Sequence, residues 1–374
     1  MPEIQFFGVS KFYGNVKAVE DLNFTIQEGE YLSLLGPSGC GKTTTLRMIS
    51  GLILPTEGKI VWDGKQVQDV QAADRDVGYV FQQFAIFPHL TIWENIAFGP
   101  KAKGFPKKEI EQSVEEYIKL VGLSDIADAY PSSLSAANKQ RTGIARVLAT
   151  GAKTLLLDEP MGALDSKIRE HFQDELLNIV KSLGLTAIHV THDQSEALAI
   201  SDRVGVMKKG KLVQIASPDE LLFNPNEVFA SYFIGETDVF EGIIRKINTE
   251  SVMVELLGDE VITIDSKRAN RITPTVGQKV IIGIRREFFS LLPYDESQIS
   301  DTDCFQGTVV ADRFQGEKIR TKVKLDYGRE LEVKRSNSGK RYKFGDKVLV
   351  KIEKNTAFLF MYPSLGLEQE ISVT

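Results

Sequence analysis

Nine residues, Gly36-Pro37-Ser38-Gly39-Cys40-Gly41-Lys42-Thr43-Thr44, constrain this chain more than any other segment. They fit the pattern G-x-x-x-x-G-K-[ST], which demands a strand, a tight loop and a helix in that order. The flanks supply both neighbours. Tyr31-Leu32-Ser33-Leu34-Leu35 reads as a buried apolar strand, and Thr43 to Ser50 as the start of a helix whose N-terminus favours anions. The glycines let the backbone wrap closely, so that several N–H groups point inward at phosphate oxygens. Lys42 is predicted to place a charge near the β- and γ-phosphates, and the Thr43 hydroxyl to ligate Mg²⁺.

A chain of 374 residues is long enough for two domains, each with its own core. The balance of 45 Lys and Arg against 51 Asp and Glu gives no global basic field that would recruit nucleic acid. Cys40 and Cys304 are too few for a disulfide framework, and a cysteine inside the phosphate loop suits a reducing cytoplasm. The opening Met1-Pro2-Glu3 lacks the basic region and apolar core of a secretory signal. No apolar run approaches the roughly 20 residues that span a bilayer, so a membrane role is expected to come through a partner.

Up to residue 235, strand-like runs alternate with helical patterns. Thr154–Leu157 precedes a helix over Ser166 to Leu183, and Thr186–Val190 precedes one over Gln194 to Ser201. This alternation predicts an α/β domain with a largely parallel sheet. Ile4–Val9 and Asp21–Ile26 read as antiparallel strands beside it. After Gly235 the texture changes to short alternating strands, and it repeats. Phe240-Glu241-Gly242 is echoed by Phe305-Gln306-Gly307, and Gly277-Gln278-Lys279-Val280 by Gly345-Asp346-Lys347-Val348, at offsets of 65 and 68 residues. One duplicated β unit, forming a small barrel-like domain, is the expected reading. Ser217 to Phe233 is helical in pattern and is expected to link the two domains.

The phosphate loop needs partners, and the chain offers them. Thr154-Leu155-Leu156-Leu157-Asp158-Glu159 is an apolar strand ending in two carboxylates; Asp158 suits Mg²⁺, directly or through water, and Glu159 could polarise an attacking water. His192, after the strand ending Val190-Thr191, could contact the γ-phosphate or hold that water. Gln82 could reach Mg²⁺ or water, or be a plain loop amide. Tyr13 could stack on adenine, or simply pack.

Read in order, these residues resemble the nucleotide-binding subunit of ABC transporters. The resemblance makes Gly36–Thr43 the Walker A loop, Gln82 the Q-loop glutamine, Leu155–Asp158 the Walker B strand and Glu159 the catalytic carboxylate. It makes Ala163-Leu164-Asp165 the D-loop, His192 the switch histidine and Tyr13 the adenine-stacking aromatic. It implies a P-loop ABC ATPase domain over 1–235: a mixed sheet with helices, an antiparallel β subdomain and a helical subdomain at about 85–150. An all-β domain of OB/TOBE-like barrel type follows over 236–374, as in importers of sugars, polyamines, iron or oxyanions. Gly283-Ile284-Arg285-Arg286-Glu287 is similar to that domain's G-I-R-P-E, with Arg286 in place of proline.

The implied activity is ATP hydrolysis with Mg²⁺, driving solute import. The implied partners are a second ATP-binding subunit, identical or not, facing this one head to tail around two ATP; permease subunits in the membrane; and, indirectly, an extracytoplasmic solute-binding protein. The implied location is peripheral, at the cytoplasmic face. Phe81 to Gly99, with Phe87-Pro88-His89 and Glu94-Asn95, resembles the face that grips a membrane subunit. A non-transport ABC ATPase acting on nucleic acid or the ribosome would be expected to carry coiled-coil insertions or basic arms, and neither appears.

One departure stands out. The family's signature L-S-G-G-Q reads Leu134-Ser135-Ala136-Ala137-Asn138 here. Ser135 retains the hydroxyl that would meet the ATP of the partner chain, but both glycines are alanine. If those positions need positive φ, each Cβ brings strain of order 1 kcal/mol or more; if they are helical, alanine stiffens the helix start and only room is lost. The D-loop also departs, with Gly162 where serine is frequent.

Overall fold

The computed structural model describes residues 3–256, 260–269, 272–295, 303–316, 318–337 and 339–372, so Met1 and Pro2 of the N-terminal reading lie outside the described residues. The chain forms two compact units, Met1–Pro218 and Asp219–Thr374.

In the first unit, β1 (Ile4–Tyr13), β2 (Val16–Ile26), β4 (Glu57–Trp62) and β5 (Lys65–Gln66) form an antiparallel sheet ordered β2-β1-β4-β5. A second, six-stranded sheet is built from β3 (Tyr31–Leu35), β6 (Val77–Val80), β7 (Thr154–Asp158), β8 (Thr186–Thr191), β9 (Arg203–Lys208) and β10 (Lys211–Ala216). Its order is β10-β9-β3-β8-β7-β6, parallel throughout except for the antiparallel edge strand β10. Every residue of β3, β7 and β8 is buried, as central parallel strands covered on both faces require. Leu35 pairs with Thr191, and Asp158 with Val190, so the carboxyl ends of three strands lie level. Ligands of open α/β sheets bind at that end.

The helices α1 (Lys42–Ser50), α5 (Ser166–Ser182) and α6 (Gln194–Ile200) follow β3, β7 and β8. Helices α2 (Ile92–Ala102), α3 (Lys107–Leu120) and α4 (Ala136–Leu148) occupy the stretch expected to be a helical subdomain. Helix α2 opens with a capping box: Glu94 N–H donates to the Thr91 hydroxyl, and Thr91 N–H donates to the Glu94 carboxylate. Apolar residues at helical spacing, such as Ile110, Val114 and Ile118, enter one core cluster with Ile144, Leu148, Leu155, Leu157 and Phe172.

The second unit starts earlier than the change of texture at Gly235 suggests. The stretch expected to link two domains forms α7 (Pro218–Phe223) and α8 (Val228–Phe233), and it belongs to the β-rich unit. Arg285, only 1% exposed, explains why. Its guanidinium donates to the backbone carbonyls of Leu221, Leu222, Ile234 and Gly235, so a single side chain consumes acceptors on both sides of α8. Gly235 lies at φ 84°, and a Cβ there would stand 1.7 Å from Arg285 Nη1. The glycine that looks like a hinge is the space the guanidinium needs.

The rest of the unit is two five-stranded sheets sharing one core. β11 (Thr237–Ile247), β12 (Ser251–Leu256), β13 (Val261–Asp265), β14 (Lys279–Arg285) and β20 (Phe358–Met361) run in the order β13-β12-β11-β14-β20. β15 (Phe289–Pro293), β16 (Cys304–Gln315), β17 (Lys318–Leu325), β18 (Glu330–Ser336) and β19 (Lys347–Ile352) run β15-β19-β16-β17-β18. Two short helices, α9 (Ser266–Ala269) and α10 (Leu367–Ile371), complete it.

The two echoed segments take matching registers. Gly242 pairs with Val280, and Gly307 with Val348. A Cβ on Gly242 would meet Val254 Cγ1 at 2.5 Å and the Glu255 carbonyl at 2.9 Å; one on Gly307 would meet Val323 Cγ1 at 2.7 Å and the Lys324 carbonyl at 2.8 Å. The Phe240 and Phe305 rings stack at 5.9 Å between centroids. Arg286 in place of proline supplies an N–H to the Glu236 carbonyl, which proline could not, and its side chain pairs with Asp238 and Glu332.

Replacing Arg285 by methionine leaves four carbonyls without their cationic donor, and it is expected to destabilise the second unit by about 3 kcal/mol. Urea unfolding followed in the full chain measures this; a change within about 0.5 kcal/mol removes the clamp from the account. Gly242→Ala and Gly307→Ala are expected to lower stability by similar amounts, about 1–3 kcal/mol each, because the two sites are crowded alike. The same denaturation experiment compares them.

Candidate active site

The loop after β3 closes on itself as the glycines allow. Gly39 and Gly41 take φ of 78° and 105°, and a Cβ on Gly41 would approach the Ala18 carbonyl at 2.5 Å. On Gly36 it would meet the Met207 carbonyl at 2.4 Å and Cys40 Sγ at 2.7 Å. Lys42 Nζ donates to the carbonyls of Gly36 at 2.7 Å and Pro37 at 2.9 Å, which holds the ammonium against the loop. Cys40 is buried, and burial pushes its thiol up, so it packs as a neutral group. Ser38, Gly39, Gly41, Lys42, Thr43 and Thr44 line a cavity of about 270 Å³, with Glu159 and Ala18 completing its wall.

The two carboxylates at the end of β7 have separate settings. Asp158 accepts hydrogen bonds from Thr43 Oγ1 and from the Tyr79 hydroxyl, each at 2.9 Å. Burial, reinforced by the Asp158 charge, pushes the Tyr79 phenol well up and keeps it a donor. Glu159 sits at φ 47°, a conformation costly for a side-chain-bearing residue, while its N–H donates to the Val190 carbonyl at 2.9 Å. Its Oε2 accepts from Gln82 Nε2 at 2.9 Å and lies 3.4 Å from His192 Nδ1. Gln82, Glu159 and His192, three residues far apart in sequence, therefore meet at one oxygen beside the loop cavity.

A buried network not foreseen from sequence lies beneath His192. His189 is fully buried, with Nδ1 3.0 Å from the Tyr31 hydroxyl and Nε2 3.2 Å from Glu196 Oε1. The Thr191 hydroxyl donates to Glu196 Oε2 at 2.5 Å and accepts from Asp193 N–H at 3.0 Å. Burial opposes the charge on Glu196, yet the bonds from His189 and Thr191 outweigh it and hold the carboxyl below its ordinary range. The residues on both sides of His192 are thus pinned. Tyr79 was likewise missed. Its role follows from the parallel register of β6 with β7, which local sequence does not carry.

The remaining candidates lie apart from the cavity wall. Tyr13, at the end of β1, is 52% exposed, with Lys11 Nζ 5.3 Å from its ring centroid. Asp165 caps α5, accepting from Ile168 N–H at 3.1 Å, and Ser135 caps α4, accepting from Asn138 N–H at 3.3 Å. Ala136 and Ala137 are the first two residues of α4, outside the positive-φ residues of the chain. The strained alternative is therefore excluded, and alanine here joins the helix, with Ala137 buried in the core. A Cβ on Gly162 would meet only the Glu159 carbonyl at 3.6 Å and Oε2 at 4.0 Å, ordinary contacts, so serine would also fit there. On the aromatic face, Phe81 and Phe98 are exposed and the Phe87 and Phe98 rings lie 4.4 Å apart. Glu94 and Asn95 are structural instead: Asn95 is buried and bonds the Phe87, Leu90 and Thr91 carbonyls.

Residues 19–162 match the ABC transporter family, and residues 282–360 match the TOBE domain. The spermidine/putrescine import ATP-binding protein PotA of Rubrobacter xylanophilus is 46% identical over 279 residues, which is 75% of this chain and 74% of that protein. PotA of Trichodesmium erythraeum is 38% identical over 340 residues, 90% of this chain and 88% of that one. Among solved structures, the dimeric ATP-binding cassette MJ0796 bound to ADP and Pi aligns with a TM-score of 0.52 at 33% identity, covering 57% of this chain and 98% of its own. The cassette cbiO1 from Clostridium perfringens, part of the ABC transporter complex cbiONQ, aligns with a TM-score of 0.55 at 29% identity, covering 58% and 89%. These likenesses do not favour an ATPase acting on nucleic acid or the ribosome. The chain belongs to the ABC transporter family, as an ATP-hydrolysing import subunit with a C-terminal TOBE domain.

Proposed function

We propose that this subunit powers uptake of a polyamine, closing head to tail with a second ATP-binding subunit around two ATP and opening again on hydrolysis. The convergence of Gln82, Glu159 and His192 beside the phosphate-loop cavity carries the reading. The loop N–H groups and Lys42 would hold the phosphates. Thr43 and Asp158, a hydroxyl joined to a carboxylate, are hard oxygen donors that suit Mg²⁺ alongside ATP oxygens, and Gln82 retains a carbonyl oxygen for metal or water. Bound there, Mg²⁺ would neutralise charge developing on the phosphates.

Glu159 is positioned as the base that orients and polarises the attacking water, with Gln82 and His192 steadying its carboxylate. Tyr13 is proposed to stack on adenine, and Asp165 and Ser135 to meet nucleotide across the dimer. The exposed aromatics Phe81 and Phe98 are proposed to receive a permease segment, and the subunit is proposed to work at the cytoplasmic face of the membrane through that contact. Among the described residues no helix is long and apolar enough to cross a membrane. The cargo assignment rests on the names of the PotA relatives.

In the assembled transporter, a spermidine- or putrescine-loaded binding protein is expected to stimulate ATP hydrolysis, and Glu159→Gln to lower kcat about 100-fold or more while leaving ATP affinity within a few-fold. Stimulation by another solute class alone would remove the polyamine assignment. A Glu159→Gln protein that still turns over normally would remove the proposed base.

Ala136 of the signature, only partly buried, is proposed to weaken the site offered to the partner's ATP by filling space, with Ala137 stiffening the helix start from the core side. The double change Ala136→Gly, Ala137→Gly is expected to raise the transporter's ATPase rate several-fold, while costing about 2 kcal/mol of helix stability. An unchanged rate, with the stability loss observed, would sink the idea.

A further inference from the structure

We propose that Arg141 is a positioning residue for the catalytic site on the partner chain, fixing the signature helix α4 to α5. The inference rests on the head-to-tail dimer proposed above. Arg141 and Glu175 form a forked ion pair: Nε reaches Oε2 at 3.0 Å, and Nη2 reaches Oε1 at 2.7 Å and Oε2 at 2.8 Å. Both side chains are half-buried, and the planar guanidinium fixes angle as well as distance. Arg141 Nη1 also donates to Asn138 Oδ1 at 3.2 Å, one turn closer to Ser135.

The surroundings give this pair its weight. Helix α4 packs chiefly on α2, α3 and β6, and it shares with α5 a core in which Ile144, Phe172 and Leu176 are buried. An open groove of about 690 Å³ runs over this seam, lined by Arg141 and Ile144 of α4, by Glu175 and Phe172 of α5 and by the end of α3. Buried apolar side chains set the spacing of the two helices, and the planar fork adds a constraint on their angle. Among the described residues, the Arg141–Glu175 pair is the side-chain ion pair that joins the two helices. Together with that apolar contact, it fixes how the α4 N-terminus, with Ser135, sits relative to α5.

Helix α5 is itself tied to the nucleotide site of its own chain. It begins at Asp165, and Arg169 donates to Asp193, the residue after His192, at 2.8 Å and to the Leu164 carbonyl at 3.1 Å. The signature helix is therefore referenced to the element that carries the D-loop and braces the switch loop. Loss of the fork would let α4 rotate on its apolar contacts and displace Ser135 while leaving this chain's own phosphate loop intact. Small misplacements of positioning groups can cost up to about 100-fold in rate.

The test uses transporters assembled from two differently tagged copies of the subunit. In one arrangement Arg141→Glu and Glu159→Gln are on the same copy, so the surviving hydrolytic site faces the altered signature helix. In the other they are on opposite copies, so the surviving site faces an unaltered one. The first is expected to lose about tenfold or more in kcat with KM for ATP little changed, and the second to keep its rate. Adding Glu175→Arg beside Arg141→Glu is expected to restore about half of the lost rate or more. Equal rates in the two arrangements, or loss without rescue, would overturn the assignment. Arg141→Lys, which keeps the charge without the fork, guards against misfolding: it is expected to show the same arrangement dependence in milder form, and full activity would count against the proposal. Ser135→Arg in the same two arrangements serves as the control. If it shows no dependence on arrangement, the head-to-tail reading itself fails; if it does and Arg141→Glu does not, only the role of Arg141 falls.

Discussion

The carboxylate of Asp158 is the joint on which the first unit depends. It ends a strand buried along its whole length, where an unpaired charge would be intolerable, and it is held by one hydroxyl from α1 and one from β6. That single acceptor ties three elements together at the level carboxyl edge of the sheet. The next residue, Glu159, is turned into a strained conformation by the same geometry, and its carboxylate is thereby brought to Gln82 and His192. Structure and chemistry share one anchor.

Much of this was legible in the sequence because the relevant constraints are local. Gly36 and Gly41 announce a backbone that a side chain would block, Gly39 one that needs positive φ, and the alternation of apolar strands with amphipathic helices announces a parallel sheet. The echoed Phe-x-Gly segments stood out for the same reason: Gly242 and Gly307 are both squeezed by the neighbouring strand at matching registers. Tyr79, His189 and Glu196 were not legible. Their importance comes from which strand or helix stands next to which, a property of long-range register.

Two readings needed the backbone to decide between them. Ala136-Ala137 could have been a strained turn or a stiffened helix start, and the conformation selects the helix. Gly235 marks a change of texture, yet the compact units part at Pro218, because Arg285 gathers α7 and α8 onto the β-rich unit. Composition marked where strands begin. Where cohesion ends depends on a buried guanidinium reaching back some fifty residues to the Ile234 and Gly235 carbonyls.

The Arg285 clamp also fixes how this polypeptide can be divided. A cut at residue 235 would leave the ATPase portion trailing α7 and α8, whose Leu221, Val228, Phe229 and Ile234 are buried in the intact chain. Those apolar faces would be stripped of their cover, and a soluble fragment would gain an adhesive tail. The β-rich remainder would lose the carbonyls that satisfy its most deeply buried cation. The separable β-rich piece is therefore the one that begins at residue 219 and carries its own two-helix collar.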